Sequence, residues 1–419
     1  MNFRNPQIIV AQLGTRMHYA VPALLERAGM LAHFYTDSYV GQGSAWHALA
    51  MAATVIPAAW RPQALARLLS RRDDSLPPGK ITAFNLLGLS YALAQRRAKD
   101  EEGLQNVYRE FGRRFCDLIC QGKIGGADGV YAFEGAVLPI FQKADKLGFT
   151  KILEQFIAPE RIQYELLSEE HCLWAGWEPP YPSRAAFQRK FDLERAEWDA
   201  ADAIICASDF VADGMISLGL PPEKLYQVPY GVETTTFAVR REPWDGRRPL
   251  RVVFLGGVTL RKGPQYLYQA LKKLRGRPIE ARMVGPVKIA EPYRQALMEE
   301  AQLTGQIPRS EVRRHYEWAD VFVFPSICEG SATVTYEALA AGLPVITTPH
   351  AGSVVRDGVD GFMVPIRDAE AIAARIELFL GDAELLAHMS QNAGERAREF
   401  SWEKYGERLV AALQQIMQI

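Results

Sequence analysis

No HExxH, no DxD and no CxxC occurs in the 419 residues of this chain. The first two absences remove the common sequence signs of a built-in divalent metal, so none is expected. The five cysteines (Cys116, Cys120, Cys172, Cys206, Cys328) are odd in number and scattered, which argues against a disulfide framework. A basic-then-apolar signal segment is lacking too, and a reducing cytoplasm is the expected compartment. Cys116 and Cys120 stand at i, i+4 in an expected helix, where core packing outweighs a redox pair. Charge of one sign is also scarce: 48 Lys and Arg against 49 Asp and Glu leave a formal net charge of -1. That excludes a global field for nucleic acid, and any charge-driven partner must be met locally. No apolar run reaches the roughly 20 residues that a bilayer-crossing helix needs.

What is present is the composition of a folded chain, 48% hydrophobic and 23% charged, at a length for which two domains are the default. The N-terminus reads strand, turn, helix, strand: "IIVAQL", Gly14-Thr15-Arg16, "MHYAVPALLERAG", "HFYTD". Further apolar strands follow at "GVYAF", "TKILEQF", "AIICAS" and "KLYQVPYG", separated by helical patterns. "RREPWDGRRP" (240–249) then breaks the pattern with Pro, Gly and charge and is read as a linker. The alternation restarts with "RVVFLGG", "EARMVGP", "VFVFPS", "PVITTP" and "GFMVP". Strands separated by helices mean parallel sheets, so the expected fold class is α/β with two Rossmann-like βαβ domains. The expected domains are 1–240, 249–400 and a terminal helix at 401–419, in which Trp402, Tyr405, Leu409 and Leu413 recur at helical spacing. Residues 40–112 fit neither array and are read as a helical insertion. Within them "SAWHALAMAATVIPAAW" followed by Arg67, Arg71 and Arg72 leaves a second reading, in which residues 45–72 lie on a membrane surface.

The chemistry concentrates at "SICEGSATVTYEALAAGLPVITTPHAG" (326–352). It follows a buried strand, and the carboxyl end of a parallel strand is where ligands bind in such sheets. Gly330, Ser331, Ala332 and Thr333 are small enough to admit a ligand to the backbone, with Ser331 or Thr333 capping the next helix. A helix N-terminus suits a diphosphate. Glu329 and Glu337 on its two flanks are acceptors suited to sugar and ribose hydroxyls, although glutamates near a helix start also serve its dipole alone.

These residues resemble the signature of the retaining glycosyltransferases of family four, which have the GT-B fold. The signature stands here as Glu329-Gly330, then Glu337-Ala338, Ala340, Gly342 and Pro344-Val345-Ile346. Similarity continues through "VPYGVETTTF" (228–237), "FLGGVTLRKG" (254–263) and "DGVDGFMVP" (357–365). The resemblance implies two domains facing a cleft, with the last helix crossing back to the first. It implies a nucleotide-sugar co-substrate, UDP- or GDP-linked, no built-in cofactor or metal, and a glycan or lipid-linked acceptor. Glu337 would hold the ribose, Glu329 the donor sugar and Lys262 the diphosphate. Arg261, Gly257, Gly330, Ser331, Ala332, Thr333 and Val334 would complete the donor site. Glu329, Lys262 and Glu134 are the catalytic candidates, and Gly14, Thr15, Arg16 and His18 form the acceptor or phosphate loop.

The chain departs from the family's pattern at three places. Gly257 stands where the family has an arginine, and Arg261 is the substitute. Ser353 stands where a glutamate is common. "DGVYAFEGA" (128–136) puts Phe133 at the family's histidine and Tyr131 at an earlier one, which passes polar work to Glu134, His18 or Glu154 or impairs the enzyme. The glutamate pair does not suit a retaining hydrolase, whose carboxyls stand about 5–5.5 Å apart. Glu337 would sit roughly 7.5 Å up a helix that Glu329 precedes. Two functions remain: a transferase building cell-surface polysaccharide, cytoplasmic or peripheral on the inner membrane face, and a catalytically weak nucleotide-sugar-binding partner in an assembly complex. A GT-B epimerase is disfavoured by the lack of an acidic and histidine pattern in the first half. The aromatics Tyr164, Trp174, Trp177 and Tyr181 read equally as sugar platforms or as a packed loop.

Overall fold

The computed structural model describes residues 5–41, 71–98, 101–122, 124–135, 137–239 and 242–418. The proposed membrane-surface stretch therefore lies outside the described residues except for Arg71 and Arg72, which pair with Asp37 and Asp74.

Among the described residues, thirteen strands form two parallel sheets. The first contains β1 (Ile8–Gln12), β2 (Leu31–Thr36), β3 (Ile81–Ala83), β4 (Gly129–Phe133), β5 (Thr150–Gln155), β6 (Ala203–Cys206) and β7 (Leu225–Gln227). Its strand order is β3-β2-β1-β4-β5-β6-β7. The second contains β8 (Leu250–Leu255), β9 (Ile279–Val284), β10 (Gln302–Gly305), β11 (Val321–Phe324), β12 (Val345–Thr347) and β13 (Gly361–Met363), ordered β10-β9-β8-β11-β12-β13. Helices cover both faces, so central strands are buried throughout and read as unbroken apolar runs: every residue of β1, β4 and β11 is buried.

Two strands correct the reading of the sequence. β3 falls inside the supposed helical insertion and pairs with β2 from Phe34↔Ile81 to Thr36↔Ala83. β10 falls where only helices were expected and pairs with β9. Both are short edge strands with half-exposed side chains, so neither carries an apolar run.

The strand orders reverse between β1 and β4 and again between β8 and β11. At such a switch point the connections leave in opposite directions and open a crevice at the strands' carboxyl ends. Residues 13–19, 134, 135 and 137 lie at the first crevice, residues 256–262 and 325–333 at the second. The two domains meet with these ends facing. Trp177 stacks on Tyr293 at 5.1 Å between ring centroids, and the Trp174 indole donates to the Tyr266 hydroxyl at 3.1 Å. Buried Glu170 accepts from Gln265 and Tyr266 and pairs with Arg367. Trp174 and Trp177 are thus committed to the domain contact, and Tyr164 stacks on Phe187 at 4.2 Å, which settles that segment as a packed one. The helix Trp402–Ile416 leaves the second domain and buries Tyr405, Leu409 and Leu413. Gly406 lies so close to Leu24 of the first domain that an added Cβ would stand 2.7 Å from its Cδ2.

Candidate active site

Lys262 reaches the second crevice because the chain turns sharply after it. Gly263 has φ +76° and backs onto the Pro325 carbonyl, where a Cβ would stand 1.9 Å from the oxygen. Glycine is required by both its conformation and its close approach. The turn brings the Lys262 Nζ to 2.7 Å from Glu329 Oε1, while Arg261 Nη1 stands 3.0 Å from the same oxygen. The Arg261 guanidinium also donates to the Cys328 carbonyl at 3.0 Å. Lys262 and Glu329 side chains are only 18% and 12% exposed, so these charges interact in a poorly screened setting. Burial raises the Glu329 proton affinity, but Arg261 and then Lys262 outweigh it and hold the carboxyl below its usual range. Burial, reinforced by Arg261, lowers the Lys262 pKa against the pull of Glu329.

Glu337 lies on the helix Thr333–Ala340 and is 3% exposed. It pairs with Arg309 and accepts from the Tyr316 hydroxyl at 3.0 Å. Arg309 is a site residue that the sequence reading missed; it sits in the polar stretch "IPRSE", which has no periodic signal. Its guanidinium also lies 5.2 Å from the Phe237 ring.

The helix start differs from expectation. Ala332 is the N-cap and supplies no side-chain bond. Ser331 turns away to the Gly352 carbonyl and the Tyr336 hydroxyl, each at 2.8 Å, and Thr333 is exposed while Val334 is half-buried. Gly330 is small for a reason other than ligand access: a Cβ there would stand 1.8 Å from the Phe156 carbonyl oxygen of the first domain. Gly257 keeps open surroundings, with nothing but Thr259 and Pro286 near its Cβ direction.

In the first domain the loop after β1 is already engaged. The Gly14 N–H donates to Asp37 at 2.8 Å, and its carbonyl accepts from Gln12. Thr15 makes no side-chain cap bond. The Arg16 guanidinium stacks on Phe156 at 3.5 Å and donates to the Tyr108 hydroxyl at 2.9 Å, facing its own domain. Met17, His18 and Tyr19 all adopt left-handed φ values of 47°, 52° and 64°, a costly run for residues with side chains. It leaves His18 exposed at the surface with its ring partly desolvated, and that desolvation, then the Arg309 charge, lower its pKa against Glu337. His18 thus belongs to the Glu337–Arg309 group electrostatically. Phe133 is buried, and Glu154 is enclosed by the Tyr131 and Tyr230 hydroxyls; Glu154 has no free face to offer. Glu134 is different: its Oε2 is shielded and has no partner, and burial, then the Glu194 charge, push its carboxyl well above the usual range. Cys116 is buried in the core and Cys120 is half-buried against it, and burial raises both thiol pKa values. Ser353 bonds locally to the Val355 N–H.

Residues 249–382, which hold Lys262, Glu329 and Glu337, match the family described as "Glycosyl transferases group 1". They form a glycosyl transferases group 1 domain. The whole chain has the GT-B architecture of solved neighbours. A sucrose-phosphate synthase from Thermosynechococcus elongatus superposes with a TM-score of 0.66 at 17% identity, covering 99% of this chain and 100% of that one. Anabaena HepE, solved with UDP and glucose, gives 0.60 at 14% identity, covering 98% and 100%. In sequence, a protein of Salmonella typhimurium named putative colanic acid biosynthesis glycosyltransferase WcaL is 31% identical over 234 residues, which are 51% of this chain and 57% of that protein. The chain thus matches about half the length of this curated relative.

Proposed function

We propose that the chain is a retaining glycosyltransferase that moves a sugar from a nucleotide-sugar to a glycan or glycolipid acceptor in polysaccharide synthesis. The observation that carries this reading is the Arg261–Lys262–Glu329 group at the β8/β11 switch point, inside the matched domain. Two cations focused on one carboxylate oxygen form a ready anion site, and Glu329 occupies it as a leaving diphosphate would. In this reading the diphosphate takes over Lys262 and Arg261, and Glu329 turns to the hydroxyls of the donor sugar. Glu337, released from Arg309, accepts from the ribose, while the first N–H groups of the helix Thr333–Ala340 face the phosphates. Stabilising charge on the leaving group is then the main catalytic term, with the departing phosphate oxygen taking the acceptor's proton on the same face of the sugar. The relative named for colanic acid biosynthesis and the neighbour holding UDP and glucose support the polysaccharide context and the donor class.

A second reading, a nucleotide-sugar-binding partner with little turnover, is favoured by buried Phe133 at the place of the family's histidine. Thermal shifts with UDP-, GDP- and ADP-sugars and the free nucleotides, on wild type and Glu337→Ala, test the shared premise. A ligand at 100 times its Kd adds about 2.7 kcal/mol. A shift with one base, lost in the variant, is expected; no shift with any would overturn both readings. Turnover with acceptor present then separates them.

A further inference from the structure

The turn Leu260–Lys262, which carries both cations of the site, belongs to the second domain but is held from the first. Thr259 is its N-cap and supplies no side-chain bond, which leaves the first N–H of the turn to an outside acceptor. That acceptor is Glu178, whose Oε1 takes the Leu260 N–H at 2.7 Å. The Leu260 carbonyl accepts from the Gln265 amide at 2.9 Å, and the same amide donates to Glu170 of the first domain, also at 2.9 Å. Two acceptors thus fix the orientation of the amide, although its Oε1 is buried without a partner; a flip would set that oxygen against both of them. On its other side the turn is held within the second domain, where the Arg261 carbonyl accepts from the Ile327 N–H at 2.9 Å and the Ser326 hydroxyl at 3.1 Å.

Glu178 is delivered by a segment that is itself anchored. It follows the helix Glu160–Leu173 of the first domain. Its neighbour Trp177 is buried, stacks on Tyr293, and accepts through its carbonyl from the Ala290 N–H at 2.7 Å. The Glu178 side chain is 14% exposed and its second oxygen lies 3.7 Å from His171 Nε2. Water therefore competes little for the bond to Leu260, and a charged acceptor makes that bond stronger than a neutral one would. Arg261 and Lys262 follow Leu260 directly, so any shift of Leu260 moves both cations relative to Glu329. We propose that Glu178 is a positioning residue for the donor diphosphate: anchored in the first domain, it fixes the turn from which Arg261 and Lys262 reach the leaving group, without touching the donor. The coupling is reciprocal, since a domain contact that raises the affinity for a diphosphate is tightened by the diphosphate in turn. The donor role of the turn rests on the transferase reading; the hold on the turn does not.

Calorimetry on the full chain with UDP, GDP and ADP, and with the free nucleosides as controls that lack the diphosphate, tests the consequence. Glu178→Ala should weaken the selected nucleoside diphosphate about tenfold and leave its nucleoside within about twofold of wild type. Glu178→Gln, whose amide oxygen still accepts from the Leu260 N–H, should keep the diphosphate within about threefold. No loss in the alanine variant, or an equal loss for diphosphate and nucleoside, would overturn the proposal. A tenfold loss in the glutamine variant would overturn it too, and that variant decides if the alanine variant does not fold. Hydrogen exchange of residues 256–263 reads the hold without any ligand: the turn should exchange several-fold faster in Glu178→Ala than in wild type or Glu178→Gln, with β11 unchanged. Equal exchange in all three would overturn the hold. A wild type that binds no nucleoside diphosphate removes the transferase reading and the diphosphate role with it, while faster exchange in Glu178→Ala still establishes the hold.

Discussion

The two switch-point crevices handle polar groups in opposite ways. At the second, every charged group of the site is already paired: Glu329 with Lys262 and Arg261, Glu337 with Arg309 and Tyr316. At the first, Glu134 Oε2 and Arg109 Nε have no partner. A ligand entering the second crevice must exchange one set of strong contacts for another, which makes discrimination depend on how well it imitates the internal partner. The first leaves polar atoms shielded from protein partners and solvent alike, a cost that the fold carries there instead of a contact to be traded.

The largest effect expected bears on the seam between the crevices. Gly330→Val drives a side chain into the Phe156 carbonyl and should cost about 3 kcal/mol or more in chemical denaturation; a cost under about 1 kcal/mol would mean that the domains do not hold this contact in solution. Lys262→Ala should lower turnover at saturating donor by about 100-fold, and unchanged turnover would remove Lys262 from the reaction. Glu329→Gln breaks the comparison most directly. If the carboxylate competes with the diphosphate, calorimetry should show UDP, or whichever nucleoside diphosphate the chain selects, binding about tenfold tighter, while transfer falls because a sugar contact is lost. Weaker nucleotide binding would show that Glu329 positions the cations instead of occupying them.

A smaller effect is expected from pH. Glu194, raised to about 8 by burial, keeps its proton in the folded chain over a range in which the unfolded chain has released it. The folded state therefore binds more protons, and its contribution to stability fades as pH rises from the ordinary carboxylate range through about 8. Glu194→Gln removes that slope, so the melting temperature of the variant relative to wild type should climb by a few degrees between acid and mildly alkaline pH. A flat difference would contradict the raised pKa. The smallest effect belongs to Arg309→Ala: its side chain is 57% exposed, so solvent screening limits the loss to about 1 kcal/mol.

The difference between the crevices also explains what the sequence makes legible. The central strands announce themselves because burial on both faces forces runs such as "VFVF" and "RVVFL". β3 and β10 do not, because short half-exposed edges need no such run. Lys262, Glu329 and Glu337 are read from a contiguous motif whose spacing is local. Arg309 is not, since its partner lies 28 residues away and it opens a single 3-10 turn, Arg309–Glu311, too short to carry a periodic pattern. Arg109 and Glu194 lie on long helices, Glu101–Gln121 and Arg184–Ala200, dense in charge and indistinguishable in sequence from solvated faces. The Gly14–His18 loop stands out in the sequence as a turn after an apolar strand, but its commitments to Asp37 and Phe156 come from tertiary packing and leave no local trace.

The chain passes between the domains twice, and the two passages lie side by side: Val232 bridges Ser401, and its N–H donates to the Phe400 carbonyl at 2.8 Å. Such a doubled seam acts like the spine of a book. Separating the domains along it would break backbone pairing, whereas turning about it keeps that pairing and breaks the contacts farther away, such as those of Glu170 with Gln265 and Tyr266. The page edges then travel farthest, and on the transferase reading substrates would enter, and products leave, on the side away from the spine.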